Sequence, residues 1–473
     1  MGASRLTIRS NSLTARSRVS RSLSGAIRLM LLTLLLLNAA CSRFSAVDKP
    51  LAQWTPETGE VSELERNLKR SPEIVVLLAF SGGGTRASAL SYGVLKELAE
   101  TKVETVQGTS TVLAEVDMIS AVSGGSFTAA YYGLRGDRIF DDYEERFLRK
   151  NVEGALFRKL FNPVNWVRLM SGKVGRTDLA AGYYDKILFD GASFADLQGH
   201  DAPVIVLNST DLATGTRFPF LQDSFDLICA DLSVYPVSRA VAASSAVPVV
   251  FSPLTLKNYA GGCGYQPPAW LSQALKDEEL TERKVQARQF NDYLNADKRP
   301  WLHLVDGGIA DNLGLRAFYT TISFAQEPGS RYNELLDRGA RQILIISVNA
   351  YAKKKPDWVL ERYAPSTLEV MRSVSADQIV RYSSDTIQIV RDEFGRLATD
   401  ESTPEHPVTF HFVDVSFEQV RDADEREFLN GIGTSMDLSD KEIDRLASAG
   451  RTLVRESNDF KSFIEAARTN NPD

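Results

Sequence analysis

Ile74-Val75-Val76-Leu77-Leu78-Ala79-Phe80-Ser81-Gly82-Gly83-Gly84-Thr85-Arg86 is a seven-residue apolar run that stops abruptly at Ser81 and three consecutive glycines. An unbroken apolar run of this kind, rich in Val and Leu, predicts a strand buried on both faces, as in parallel sheets covered by helices on either side. A helical pattern over residues 85–99 follows at once. The same order recurs downstream, with a strand at Val116–Val122, a turn at Ser123-Gly124-Gly125 and a helix over about residues 126–134. Strand, glycine turn and helix in succession predict an α/β fold of three layers, a central, mostly parallel sheet with helices on both faces. Further strands are expected at residues 204–208, 301–305, 342–348 and 408–415, with helices at 235–246 and 366–382 between them.

In open α/β sheets, ligand chemistry gathers at the carboxyl ends of strands. Three stretches occupy such positions. Ala121-Val122-Ser123-Gly124-Gly125 has the form of a nucleophile elbow, with Ala in the first of the two positions usually held by glycine. A serine on a sharp strand-to-helix turn projects its hydroxyl outward. The helix behind it aims N–H groups and the positive end of its dipole at charge developing there. Gly82-Gly83-Gly84-Thr85-Arg86 lets backbone N–H groups converge with no side chains in the way, which suits an oxyanion hole, a phosphate cradle or a plain turn. A Walker loop needs a Lys that is missing here, and a dinucleotide fingerprint needs a third glycine where Ala87 and Ser88 stand, so nucleotide binding has little support. Asp306-Gly307-Gly308 follows the 301–305 strand, whereas the competing Asp190-Gly191-Ala192 follows a helical stretch, and Asp306 is the preferred acid.

GGGTR at 82–86, AVSGG at 121–125, SRAVAASSAVP at 238–248 and DGG at 306–308, in that order, resemble the patatin-like phospholipase family over about residues 73–320. The resemblance implies a serine acyl hydrolase that cleaves acyl esters of phospholipids or lysophospholipids through an acyl-enzyme. It implies Ser123 as nucleophile, Asp306 as its general base, Gly82, Gly83 and Gly84 with Arg86 as the oxyanion hole, and no metal or organic cofactor. Two positions depart from the pattern: Ser81 stands where the family commonly has Asp, and Ala121 replaces a glycine. These departures sustain a second reading, a catalytically weak or inactive lipid-binding lipoprotein.

The residues themselves agree with a dyad. Only His406 and His411 follow Asp306, where an α/β-hydrolase would carry its histidine, and His411 falls in an alternating strand pattern as a structural imidazole would. His303 lies three residues before Asp306 and so on the opposite face of that strand. A carboxylate that is held close and partly desolvated has its pKa raised and can take the serine proton. The four histidines include no HxxH grouping, so a zinc site has little support.

The first 28 residues hold six arginines and no acidic residue, and an apolar run at 29–40 follows. That is the layout of an export signal, and twelve residues fall short of the roughly 20 that cross a bilayer. Leu37-Asn38-Ala39-Ala40-Cys41 resembles a bacterial lipobox, with Asn38 where Leu is preferred. The resemblance makes Cys41 the lipidated first residue of the mature protein and, with Ser42 after it, implies an outer-membrane lipoprotein facing the periplasm. Loss of residues 1–40 takes the net charge from -7 to -13, which argues against a nucleic-acid partner.

Residues 1–40 thus read as signal peptide, 41–72 as tether, 73–325 as catalytic domain and 326–473 as an α/β extension of it. Residues 261–299 form a charged, helical insertion expected near the mouth of the site, either as a lid or as an ordinary surface helix. Cys229 and Cys263 are compatible with a disulfide in an oxidising compartment and equally with two buried thiols.

Overall fold

The computed structural model describes residues 47–55, 70–171, 174–197, 202–323, 339–353 and 357–469. The leader, Cys41 and much of the tether lie outside them.

The strands of the main sheet, in chain order, are β1 (Ile74–Phe80), β2 (Val116–Val122), β3 (Val204–Asp211), β4 (Thr216–Phe220), β5 (Leu254–Lys257), β6 (Trp301–Asp306), β7 (Gln342–Asn349) and β8 (Thr409–Ser416). They form one eight-stranded sheet of order β8-β7-β1-β2-β3-β6-β5, with β4 also paired to β3. β8, β7, β1, β2 and β3 are mutually parallel, while β4, β5 and β6 pair antiparallel.

The helices used below are α1 (Thr85–Glu100), α2 (Gly124–Arg135), α3 (Val152–Leu160), α4 (Pro163–Met170), α5 (Arg176–Tyr184), α6 (Val237–Ser244), α7 (Ala269–Ala274), α8 (Glu282–Tyr293), α9 (Arg316–Ser323), α10 (Thr367–Asp400), α11 (Asp440–Glu456) and α12 (Asn458–Thr469). Every residue of β1 and β2 is buried, as the unbroken apolar runs require. Alternate β1 side chains serve opposite layers. Val76, Leu78 and Phe80 join the cluster that includes Leu90 of α1, Phe127 of α2 and Leu446 of α11. Val75, Leu77 and Ala79 pack with Phe318 of α9 and with Val390 and Phe394 of α10. The expected three layers are present. α1 and α11 cross in close contact because glycine stands at the crossing: a Cβ on Gly93 would overlap the carbonyl oxygen of Ala447, and one on Gly450 that of Leu90. The chain beyond residue 326 therefore supplies two strands of the same sheet and part of its helical cover.

One expectation of direction is corrected. The sequence reading gives β6 the carboxyl-end geometry of a parallel strand, but β6 runs antiparallel to β3, pairing Asp306 with Ser209 and Leu304 with Asp211. β2 pairs with the preceding stretch of β3, ending at Val122 opposite Asn208. Because β4 occupies the other edge of β3 over Leu207–Asp211, β2 and β6 share one edge and meet end to end. Ser123 and Asp306 thus arrive at adjacent registers of β3 from opposite directions.

The 261–299 insertion is anchored on the far end of β3. Cys263 is joined to Cys229 by a disulfide, the Tyr293 hydroxyl donates to Asp211 at 2.8 Å, and Arg299 pairs with Asp211. Leu271, Ala274 and Ala287 of α7 and α8 form their own small core. Among the described residues, no helix is long and apolar enough to cross a membrane.

Candidate active site

Ser123 sits between β2 and α2 with φ 49° and ψ −116°, a conformation that non-glycine residues adopt at a cost and that marks functional turns. The turn closes because the two residues after Ser123 have no side chains: a Cβ on Gly124 would overlap the Gly84 carbonyl oxygen, and one on Gly125 would come within 2.7 Å of Phe80 Cβ. Ala121, the expected weak point of the elbow, is fully buried in β2 between its register partners Phe80 and Leu207. Its methyl group fits the core, and the strict demand for glycine falls on the other side of the serine.

The Ser123 hydroxyl donates to Asp306 Oδ2 at 2.8 Å, and the Gly308 N–H donates to Asp306 Oδ1 at 2.8 Å. Burial pushes the Asp306 carboxyl up to about 6, against the opposing pull of those two hydrogen bonds. The backbone around it is fixed as well. Thr210 Oγ1 donates to the Asp306 carbonyl at 2.8 Å, and the Asp306 N–H donates to the Ala246 carbonyl at 3.0 Å.

The SRAVAASSAVP stretch supplies a residue whose role the sequence did not disclose. Ser244, the last residue of α6, accepts the Ser123 N–H at 2.9 Å, bonds to Ser126 Oγ at 2.8 Å and donates to the Asn208 carbonyl at 2.6 Å. Its own carbonyl accepts the Gly307 N–H at 3.1 Å. One hydroxyl donor and two lone pairs are all used, and both sides of the Ser123–Asp306 pair are tied to one residue.

The glycine loop divides its tasks. The Gly82 N–H donates to the Asn312 carbonyl at 2.9 Å, so that donor is already engaged. The N–H groups of Gly83, Gly84 and Gly124 have no acceptor among the described residues, and Gly84 and Gly124 line the same cavity as Ser123. Ser81, at the position commonly held by Asp, is buried and accepts the Ala350 N–H at 2.9 Å, fastening the loop to the end of β7. Arg86 is buried and directed elsewhere than the reacting pair. Its guanidinium donates to the carbonyls of Ala350 (2.8 Å) and Ile432 (2.5 Å) and to Thr434 Oγ1 (3.2 Å), and burial lowers its pKa to about 10.

A cavity of about 290 Å³ opens from Ser123, walled mainly by apolar side chains including Phe127, Leu156, Leu160, Leu179, Phe251 and Met436. None of its walls comes from residues 261–299. The insertion expected at the mouth of the site is therefore away from it, and α3, α5, the 245–251 loop and residues 434–436 enclose the space instead. Nothing in the 152–180 sequence carried a motif that would have marked it.

The remaining candidates fall into structural places. Asp190 is exposed and pairs with Arg135 and Arg146 at 2.9 and 3.1 Å. His303 is exposed on the opposite strand face and bonds Thr255 at 3.0 Å. His411 packs edge-on to Phe463, with burial lowering its pKa. His406 contacts the Ala340 carbonyl, and His200 lies outside the described residues. Among the described residues there is no cluster of His, Cys, Asp or Glu arranged to hold a metal.

The patatin-like phospholipase family matches the chain over residues 78–319. Sequence comparison with curated proteins gives no match. Among solved structures, human GIVD cytosolic phospholipase A2 resembles the fold at 16% identity with a TM-score of 0.45 over 91% of this chain. The same human protein with methyl gamma-linolenyl fluorophosphonate and terbium chloride gives 15% identity and a TM-score of 0.39 over 90% of this chain, and with methyl gamma-linolenyl fluorophosphonate it gives 13% and 0.38 over 89%. This chain spans 66% of the length of each, just under two thirds. The family match covers slightly more than half of the chain and spans the elbow, the glycine loop and the Asp306 turn together: this protein belongs to the patatin-like phospholipase family.

Proposed function

We propose that this protein is a serine acyl hydrolase that cleaves acyl esters of phospholipids or lysophospholipids. The observation that carries the reading is the 2.8 Å hydrogen bond from Ser123 Oγ to Asp306 at the floor of an apolar cavity. Ser123 Oγ attacks the ester carbonyl while its proton passes to Asp306 Oδ2. The resulting oxyanion is met by the N–H groups of Gly83, Gly84 and Gly124 at the positive end of α2. Collapse expels the alcohol, which takes the proton from Asp306, and leaves an acyl-enzyme. Water then enters, Asp306 removes its proton, and the fatty acid leaves with Ser123 restored. A carboxyl raised to about 6 is matched to this work, ionised at neutral pH yet more basic than an ordinary aspartate. Arg86, first expected among the oxyanion donors, acts here by holding residues 432–434 against the loop.

Cys41 is proposed as the lipid anchor and the outer membrane, on its periplasmic side, as the location. The Cys229–Cys263 disulfide fits an oxidising compartment.

The test is labelling with a serine-directed fluorophosphonate, followed by mass spectrometry of the modified peptide and of phospholipid vesicles incubated with the protein. Adduct on Ser123 and release of fatty acid, both lost in Ser123→Ala, are expected. An unmodified Ser123 with intact lipids would leave the inactive lipid-binding reading in its place.

A further inference from the structure

The cavity mouth is bordered by apolar surface that the fold leaves bare. In α4 only Asn165 and Leu169 are even half-buried. Val164, Trp166, Val167 and Met170 are 69, 53, 71 and 71% exposed, and Phe161, just before the helix, is 66% exposed. An eight-residue helix that hides so little gains almost nothing from the core of its own protein. The 247–251 loop repeats the pattern: Val249 and Val250 are 79 and 54% exposed. Val249 also adopts a φ of 74°, a region β-branched residues avoid. Arg176 of α5 holds this loop through a 3.0 Å bond to the Val249 carbonyl. Phe157 and Leu160 of α3 and Val250 also line the cavity, so the bare surface is continuous with the way in to Ser123.

Charge identifies the partner. Residues 154–177 contain Arg158, Lys159, Arg168, Lys173 and Arg176 and no acidic residue, in a chain whose net charge is -7. Exposed Trp, Phe, Val and Met interleaved with cations is the composition of a segment that lies in a membrane interface, its apolar groups among the acyl chains and its cations at anionic headgroups.

We propose that α3, α4 and the 247–251 loop form the face by which this protein seats itself on an anionic lipid surface, with the cavity mouth opening into that surface. The proposal rests on the phospholipase reading for its purpose: an acyl chain passes from bilayer to cavity without crossing water, which avoids the cost of exposing that chain to water.

The test uses the full chain with vesicles of phosphatidylcholine, with and without phosphatidylglycerol, carrying brominated acyl chains. The Trp166 signal is isolated as the difference between wild type and Trp166→Phe. It is expected to be quenched on the phosphatidylglycerol vesicles, and the combined Arg158→Gln, Lys159→Gln and Arg168→Gln variant to need about tenfold more anionic lipid for the same quenching. An unquenched Trp166 overturns the proposal, because it reports this helix whatever else attaches the chain to the membrane. A second variant, Val167→Asp with Met170→Asp, is expected to cleave vesicle lipid about tenfold more slowly while keeping a soluble short-chain ester within about twofold. An equal loss on both substrates also overturns it. If wild type cleaves neither substrate, the hydrolase reading falls, and the Trp166 quenching still decides the docking face.

Discussion

The hydroxyl of Ser244 accepts the backbone N–H of Ser123 at 2.9 Å while donating to the carbonyl of Asn208 at 2.6 Å, so the strained turn of the elbow is held from behind by a residue 121 positions away. Ser244→Ala removes that acceptor and orphans a buried N–H, a loss of about 1–3 kcal/mol. We expect a folded protein with a lower melting temperature. Its kcat on a soluble ester should fall by about tenfold to a hundredfold, from misplacement of Ser123, with little change in KM. Ser244→Thr keeps the hydroxyl and should recover most of kcat. A Ser244→Ala enzyme with full kcat would assign the residue to stability alone.

Arg86 offers a sharper discrimination. Its three hydrogen bonds reach Ala350, Ile432 and Thr434, and Thr434, Ser435 and Met436 wall the cavity. Arg86→Lys keeps a cation but loses the planar fork. The expected outcome is a lower melting temperature and a raised KM for long-chain substrates, with kcat on a short soluble ester reduced by less than about tenfold. Loss of an oxyanion donor would instead cost about 10²–10³ in kcat on every substrate. Kinetics on the two chain lengths separates the roles.

How much of this was legible in the sequence depends on the range of the signal. The β1 run, the Ser123 turn and the glycine loop are local, and each is readable because a buried strand, a tight turn and converging amides impose their own composition over a few residues. Asp306 is readable for the same reason, as a strand followed by two glycines. The direction of β6 is not, because six residues with exposed Trp301 and His303 alternating with buried Leu302 and Leu304 do not disclose which strand they pair with or which way that neighbour runs. Ser244 and Asn208 escape a reading of the sequence because their value lies in where β3 and α6 bring them. The helix at 367–400 is read only to residue 382, although Ile387, Val390, Phe394 and Leu397 continue the spacing of three and four and are the residues that pack under the sheet. Sequence adjacency to Asp306 places the 261–299 insertion near the site. Asp306 closes β6 while the insertion leads into its first residue, Trp301, so the length of the strand separates the insertion from the reacting pair.

The anchor assignment yields a direct prediction. If Cys41 is the lipidated residue, Cys41→Ser abolishes incorporation of radiolabelled palmitate and leaves an unprocessed or soluble form, since stable attachment takes more than one acyl chain. Equal labelling of the variant would remove Cys41 from that role.

The last prediction concerns pH, where activity and stability should move in opposite directions. Asp306 must be ionised to take the serine proton, and burial holds its pKa near about 6. kcat/KM on a neutral ester should therefore rise with pH through that value and level off above it, with Asp306→Asn flat and at least about a hundredfold lower. For stability the sign is the reverse. Between the ordinary aspartate value of 3.8 and about 6 the folded state holds a proton that the unfolded state has released, so the contribution of this group is fully present at low pH and is lost as pH rises through the folded-state value. Ionised Asp306 then costs the fold on the order of 3 kcal/mol at neutral pH, since a tenfold change in proton affinity between folded and unfolded chain is worth about 1.4 kcal/mol. Asp306→Asn removes that charge while keeping an acceptor for the Gly308 N–H. It should melt higher than wild type at pH 8, with the difference shrinking as pH falls below about 6. Thermal melts of the two proteins across that range decide the matter, and a variant that melts lower at pH 8 would mean that its new amide hydrogen bonds fail to replace those of the carboxylate.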